Sequence, residues 1–405
     1  MKSIIQYIRE CLLITEGGES GHMSHPIDYV DFTGNDLIEL IDNLFNGKIE
    51  HMKEKLDGMN IMATMNNDGE VVFIRNKGNL NSERGGMSLE EMAEKWAEKE
   101  QQKKVFLSGG KLITEIFKKL DKSYFNPTPD TRKIINCECI ISGKTNIMPY
   151  ASDRVAFHGY RIYKHNGVKW VEDKDVEGHV EDIYDAAKDF DSAKPRPDLI
   201  IKSANEASKF AKKFIESIKK LFTDEGLTLD NTIDDFKHTR FKKYAPEWMR
   251  DDDVIYNRLY NNDKSINLGK IKKDHPDYID EINELDKIKK KLDESVIGPL
   301  DNLFLSIGNE FISMLSGFTN EQTHDKVINT LKQDIESTIE VVKNSNSEDA
   351  QDKVAKQLER LKMLGDKFNS AEGIVFLYKG RRMKLTGSFA PINQILGTRF
   401  DIWKS

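Results

Sequence analysis

Strand-forming segments stand on both sides of a long helical stretch in this chain, and that separation limits the folds the chain can adopt. Short runs rich in β-branched and aromatic residues fall within 60–75, 133–171 and 373–385, and Asn-Gly and Asp-Gly turns separate several of them. Residues 181–364 instead carry helical periodicity and dense charge. Because an isolated hairpin is only marginally stable in water, the late strands are expected to join the earlier ones.

The predicted organisation is therefore an α+β fold with a discontinuous domain. Residues 49–180 and 365–405 form its β-rich part, with twisted antiparallel sheets, and 181–364 are a large α-helical insertion. Residues 1–48 precede it as a helical segment and a loop rich in His and Gly, with an amphipathic helix over 3–15. The pattern also allows two independent domains with a separate C-terminal hairpin.

Composition excludes several classes of protein. The chain has 405 residues and a formal net charge of -7, which argues against a generally basic nucleic-acid coat but is compatible with a local basic groove. Three cysteines (Cys11, Cys137, Cys139) make neither a disulfide framework nor a zinc site. No apolar run is long enough to cross a membrane, and Arg9 and Glu10 interrupt the N-terminal apolar residues where a signal peptide has none. We expect a cytoplasmic protein with no membrane partner.

The segment Lys55-Leu-Asp-Gly58 is the first candidate for chemistry. A lysine amine is a usable nucleophile when burial or a neighbouring cation removes its proton, and a glycine three residues later permits a tight turn and close approach of a ligand. Taken alone, the segment is equally compatible with a solvated lysine before a turn.

Further residues with site chemistry follow in order along the chain. Glu138 lies in an apolar strand between Cys137 and Cys139, so alternation directs its carboxylate to the face opposite the two thiols. The other candidates are Arg75, the aromatic residues Phe157 and Tyr160, Glu372 in Glu372-Gly-Ile-Val375, and the basic pair Arg382 and Lys384. Each of these residues alone indicates no particular function, whereas the presence of all of them in this order is a far more specific signal.

This ordered set resembles the motifs of the covalent nucleotidyltransferase superfamily, which contains the ATP-dependent polynucleotide ligases and the mRNA capping enzymes. The resemblance covers about 170 residues, in 49–180 and 365–405. It implies a ligase-type nucleotidyltransferase domain whose lysine, here Lys55, attacks the α-phosphate of ATP and forms lysyl-AMP. Asp57 and Gly58 belong to the same motif as the lysine.

The resemblance also implies roles for the other positions. Lys384 and Arg382 would hold phosphate oxygens and keep the Lys55 amine neutral by like-charge repulsion. Glu372, with Glu138, would bind Mg²⁺ or Mn²⁺. The remaining nucleotide contacts would come from Glu138 and Arg75 at the ribose or its phosphate, Phe157 or Tyr160 stacked on adenine, and Glu54 at the base edge.

Two details depart from a simple transfer of these roles. Ligases more often carry Lys where Arg382 stands, and Lys379 is interpreted as a turn residue and not as its replacement. If Glu372 and Lys384 face one nucleotide, strand alternation predicts an odd loop or a bulge near Lys379-Gly380. A strict two-residue turn would direct them to opposite faces.

Only 21 residues follow Lys384, which leaves no room for the OB-fold domain of DNA ligases and capping enzymes. The expected function is an RNA ligase of bacteriophage type, acting in a host cytoplasm and joining 5′-phosphorylated RNA, or DNA, ends. AMP transfer to another acceptor, a DNA ligase-like enzyme and a non-enzymatic binding module remain alternatives. The insertion's paired lysines are compatible with RNA binding, although solvated helix faces account for them more simply. His22 and His25, in the N-terminal loop, are compatible with a site role or a packing role.

Overall fold

Strands and helices alternate along the first half of the chain in the computed structural model, which describes residues 23–96, 100–126, 128–142, 147–178, 180–261, 266–365 and 367–404. The predicted helix over 3–15, with Cys11 and His22, lies outside these residues. The strands are β1 (Lys53–Lys55), β2 (Met59–Met65), β3 (Val71–Ile74), β4 (Thr131–Ile140), β5 (Arg154–His165), β6 (Trp170–Gly178), β7 (Ile200–Ile201), β8 (Leu315–Ser316), β9 (Gly373–Tyr378) and β10 (Arg381–Thr386).

Helices fill most of the remaining chain. In the N-terminal half they are α1 (Gly34–Phe45), α2 (Lys77–Leu80), α3 (Leu89–Lys95), α4 (Glu100–Phe117), α5 (Lys122–Phe125) and α6 (Glu181–Ala186). The others are α7 (Ala204–Asp224), α8 (Ile233–Tyr244), α9 (Glu247–Arg250), α10 (Asp253–Tyr260), α11 (Leu268–Asp274), α12 (Ile279–Asn283), α13 (Leu285–Val296), α14 (Gly298–Ser313), α15 (His324–Lys343), α16 (Glu348–Met363) and α17 (Phe389–Lys404). Helix α17 was not anticipated from the sequence.

Two antiparallel sheets carry the framework. The larger has the strand order β3-β2-β4-β5-β6, and the smaller has the order β1-β9-β10. The expectation that the late strands pair with an early one is confirmed, because β9 pairs with β1. The mixture of helices with antiparallel sheets agrees with the predicted α+β class.

Hydrophobic cores cross the predicted boundary between the β-rich part and the helical insertion. One core joins the inner face of the small sheet to α1, α7 and α14. Another joins α15, α16 and α17 to Leu56, Ile140 and Tyr150. A core built wholly from insertion residues lies within 241–296. Much of 181–364 therefore buries its apolar surface against the strands, and the domain boundaries themselves stay a prediction.

One face of the larger sheet packs on α4 through Phe106, Phe117, Cys137 and Cys139. The two cysteines are fully buried there, as alternation predicts. The opposite face of the same strands carries Glu138, and this face meets the small sheet at the candidate site.

Candidate active site

The pairing of β1 with β9 positions Lys55. Lys55 lies opposite Gly373 in the antiparallel register, so the residue before Gly373 is within reach of the lysine amine. Lys55 Nζ donates a hydrogen bond to Glu372 Oε1, and both side chains are largely buried. A Cβ at Gly373 would lie 2.2 Å from the Leu385 carbonyl oxygen, so only glycine permits the close approach of β10 at this point.

The lysine is surrounded by an excess of carboxylates. Burial lowers the pKa of Lys55, but the charges of Glu372, Glu138 and Asp57 outweigh it and leave the pKa above its ordinary value. Burial raises the pKa of Glu372 to about 7 despite the lysine, because Asp57 and Glu138 are also close. One ammonium cannot compensate three desolvated carboxylates, so the pKa values of Glu372 and Asp57 both lie above their ordinary values.

This balance corrects one prediction. The Lys55 amine was expected to be kept neutral by Lys384 and Arg382, whereas the carboxylates around it favour the ammonium form. Lys384 is nevertheless close enough to Lys55 for the two charges to interact. Burial and the positive charge of Lys55 lower the pKa of Lys384.

Glu138 is held by two donors. Its Oε1 accepts a hydrogen bond from the Gly58 backbone N–H at 3.0 Å, and its Oε2 lies 2.7 Å from His158 Nε2. Burial raises the pKa of Glu138, but the bond from His158 and the charges of Lys55 and Arg196 outweigh it and lower the pKa. Gly58 has no room for a side chain, because a Cβ there would lie 2.7 Å from Glu138 Cγ.

A β-bulge directs His158 to this face. Asn136 pairs with Gly159 and Cys137 pairs with Phe157, so His158 is the extra residue between them. Gly159 has φ of 141°, a conformation that residues with a side chain rarely adopt. The bulge thus turns an imidazole toward Glu138.

The two aromatic candidates lie on the other face, which corrects the prediction that one of them stacks on adenine. Phe157 is 2% exposed and packs against Phe117 and Tyr184 in the core under α4. Tyr160 packs on the same core, with Lys133 Nζ 4.5 Å from its ring centre. The aromatic ring beside Glu138 belongs to His158.

The turn between β9 and β10 is the strict two-residue turn. Tyr378 pairs with Arg381, and Lys379 and Gly380 both have positive φ, so the predicted odd loop or bulge is wrong. Lys379 binds Asp36 and Glu39 at 2.6 and 2.8 Å, as a turn residue tethered to α1.

Glu372 still reaches the site because it precedes the first residue of β9 and does not obey the alternation of that strand. Lys384 lies opposite Val375, on the face that Lys55 shares. The two-residue turn therefore removes neither Glu372 nor Lys384 from the neighbourhood of Lys55.

Three other predicted residues have defined surroundings. Arg382 Nη1 donates to the His158 carbonyl oxygen at 3.3 Å. Arg75 Nη1 donates to the carbonyl oxygen of Asn60, and its guanidinium lies 5.7 Å from the ring centre of Phe106, in the core under α4 on the face opposite Glu138. Asp57 Oδ2 accepts from the Met148 backbone N–H at 2.8 Å, and burial raises the pKa of Asp57 to about 6.

Glu54 lies on the face of β1 opposite Lys55. Its Oε2 accepts from the Thr319 backbone N–H at 2.7 Å, while its Oε1 is buried without a partner among the described atoms. Burial raises the pKa of Glu54. Contact between Glu54 and a base edge on the Lys55 side would require a different orientation of its side chain.

His25 also comes close to the site. Ser24 forms a parallel bridge with Met383, and the Lys384 backbone N–H donates to the Ser24 carbonyl oxygen at 3.0 Å, so the segment extends the small sheet beyond β10. Burial, followed by the charge of Lys384, lowers the pKa of His25 to about 4. His22 lies outside the described residues.

Three residues of the site were missed from the sequence: His158, Arg196 and Tyr150, whose buried hydroxyl oxygen accepts a hydrogen bond from the Asp57 backbone N–H at 2.8 Å. Gly159 inside a strand is a signal of a bulge, and Arg196 lies between Pro195 and Pro197, which fix the backbone around it. Neither feature alone indicates a site.

Metal and membrane features are limited in the described residues. They contain no group of three or more His, Cys, Asp or Glu side chains arranged to hold a metal ion. No helix in the described ranges combines the length and apolar character that a bilayer crossing needs.

Comparisons with known proteins do not assign the chain to a family. No family model matches the chain, and no curated protein does. A solved structure of an archaeal ATP-dependent RNA ligase, form 2, is similar at 14% sequence identity with a TM-score of 0.20. The match covers 71% of this chain and 66% of that one.

Proposed function

We propose that the protein is an ATP-dependent RNA ligase that forms lysyl-AMP on Lys55, transfers the AMP to a 5′-phosphate and seals that end to a 3′-hydroxyl. The observation that carries the proposal is the convergence on one buried amine. Lys55 on β1, Glu372 immediately before β9 and Glu138 on β4 are far apart in the sequence and interact at one point.

The first step balances as a displacement at phosphorus. The Lys55 amine loses a proton and forms a bond to the α-phosphorus of ATP, the bond to the pyrophosphate oxygen breaks, and pyrophosphate leaves. The ammonium form of Lys55 has to release its proton to solvent before the attack, because the surrounding carboxylates raise its pKa. Glu372 Oε1, which already accepts a hydrogen bond from Nζ, holds the nitrogen in place for the attack.

Cations around the site suit an anionic substrate. Lys384 shares the sheet face of Lys55, and Arg382 lies two residues before it on the same strand and face. Phosphoryl transfer depends mainly on positioning and charge neutralisation, and these side chains supply both at the triphosphate.

The carboxylates fit a divalent cation. Glu372 Oε2 is buried without a hydrogen-bond partner among the described atoms. Mg²⁺ takes one or two protein carboxylates together with phosphate oxygens, and bound there it would offset charge on the triphosphate. Both Glu138 oxygens already accept hydrogen bonds, so Glu372 is the better ligand of the two, and Glu138 is assigned to the ribose side. Contact of Arg75 with the ribose or its phosphate would require its guanidinium to leave the Phe106 ring.

The experiment measures the formation of the covalent adduct between Lys55 and AMP. The protein is incubated with ATP labelled at the α-phosphate and with Mg²⁺ or Mn²⁺, and covalent label is measured on the denatured chain. We expect label on the wild type, none on Lys55→Ala, and near-normal label on Lys48→Ala. Lys48 is the control lysine, because it is exposed, precedes β1 and pairs with Asp42 away from the site.

The substrate class is tested by transfer of the labelled AMP from the adenylated protein to a polynucleotide. The adenylated protein is mixed with RNA or DNA strands that carry a 5′-phosphate, and with 5′-hydroxyl strands as controls. Transfer of AMP to 5′-phosphorylated RNA, with subsequent sealing, is the expected result. An adduct that persists in Lys55→Ala contradicts the proposal, and an adduct that no polynucleotide discharges indicates a different acceptor.

A further inference from the structure

We propose that His158 and Arg196 are positioning residues that hold the Glu138 carboxylate in one orientation through a chain of directed hydrogen bonds. This inference rests on the proposed function for its catalytic consequence. The hydrogen-bond chain itself is independent of that function.

The donor and acceptor roles in the chain follow from chemistry. Arg196 Nη2 lies 3.2 Å from His158 Nδ1, and His158 Nε2 lies 2.7 Å from Glu138 Oε2. A guanidinium can only donate, so Nδ1 must accept. An imidazole that accepts at Nδ1 and is neutral carries its hydrogen on Nε2, which therefore donates to the carboxylate.

Arg196 is itself immobilised. It is 7% exposed, its Nη1 donates to the Glu54 carbonyl oxygen, and its own carbonyl oxygen accepts from Lys53 Nζ at 2.7 Å. Both contacts are to β1, the strand that carries Lys55. The chain therefore connects the strand of the nucleophile to the carboxylate on β4.

Hydrogen bonds hold both oxygens of the Glu138 carboxylate. The Gly58 N–H donates to Glu138 Oε1 and His158 donates to Oε2, while Arg382 Nη1 donates to the His158 carbonyl oxygen. Without the imidazole, a buried carboxylate beside Glu372 and Asp57 would lose a donor and turn toward Lys55. A hydrogen bond to a charged group contributes about 1.5–3 kcal/mol, equivalent to roughly 10- to 150-fold in a rate that depends on it.

The first measurement is the single-turnover rate of adduct formation. His158→Phe keeps a ring of similar size and removes both nitrogens, and we expect a loss of about 10- to 150-fold. His158→Gln keeps a donor in reach of Glu138 and is expected to recover most of the rate. Thermal unfolding of each variant shows whether it remains folded.

A double-mutant cycle separates positioning from general damage. If His158 acts through Glu138, then His158→Phe introduced into Glu138→Ala slows the reaction by less than about threefold more, since coupled residues are not additive. Full additivity of the two losses overturns the inference.

The second measurement needs no activity. Nitrogen NMR of the wild-type imidazole near neutral pH should show hydrogen on Nε2 and none on Nδ1, and Arg196→Met should relax this preference. A ring with hydrogen on Nδ1 overturns the inference. If the wild type forms no adduct, the proposed function fails, and the NMR result still decides whether the chain of hydrogen bonds exists.

Discussion

The buried carboxyl of Glu372 makes the stability of the protein depend on pH in a predictable direction. Its pKa rises from 4.5 to about 7 on folding, mainly through burial. The folded state therefore binds this proton more tightly than the unfolded state does. Between these two values the stability falls as pH rises, because the unfolded chain releases the proton more readily.

The magnitude follows from the shift. A change of one pKa unit corresponds to 1.36 kcal/mol, so the carboxyl of Glu372 costs the folded state about 3 kcal/mol once pH exceeds the folded value. Glu372→Gln keeps the shape and removes the ionisation. Relative to wild type, the variant should therefore gain about 3 kcal/mol of unfolding free energy between about pH 5 and about pH 8.

Urea denaturation of wild type and variant at a series of pH values measures this difference. Glu83→Gln removes an exposed carboxylate and controls for the loss of one charge. Asp57 is electrostatically coupled to Glu372, so its pKa falls in the variant and its contribution is part of the measured difference. If the gap between wild type and Glu372→Gln stays constant over this range, the reasoning about an excess of buried carboxylates is refuted.

Two glycine substitutions give further predictions. Gly58→Ala introduces a Cβ 2.7 Å from Glu138 Cγ, so we expect a loss of about 1–3 kcal/mol in urea denaturation together with slower adduct formation. Gly380→Ala meets open space but has φ of 73°, so it should cost about 1–2 kcal/mol with adduct formation unchanged. Equal effects of both variants on adduct formation would contradict the contact between Gly58 and Glu138.

Patterns with a strict period were readable from the sequence. The runs that became β2, β4, β5 and β9 were recognised from their strand-forming residues, and alternation correctly directed Cys137 and Cys139 inward and Glu138 outward. Motif order then indicated which distant residues belong together. What periodicity reports is which face is buried, not which partner buries it. The shared cores between the helical stretch and the strands therefore had no sequence signal.

The misplaced aromatics have a specific physical cause. A bulge adds one residue to a strand, and every assignment of faces beyond it shifts by one. Phe157 pairs with Cys137 before the bulge and Tyr160 pairs with Ile135 after it, so both fall on the core face, and the ring that faces Glu138 is that of the inserted His158. The glycine at 159 was the one available sign of this shift.

At the hairpin formed by β9 and β10 the error is the reverse: a bulge is predicted from the sequence, and the structure has none. If Glu372 belongs to β9, strand alternation predicts that a two-residue turn separates it from Lys384. The strand begins at Gly373, and Glu372 is free of the pleat because its backbone lies just outside the ladder. The direction of the Glu372 side chain depends on the backbone conformation just before the strand, and this conformation brings the carboxylate to Lys55. The direction of the Lys384 side chain follows from its register in β10. Placing one group of a site immediately before a strand and another within its partner lets a regular two-residue hairpin bring both to one amine without a bulge.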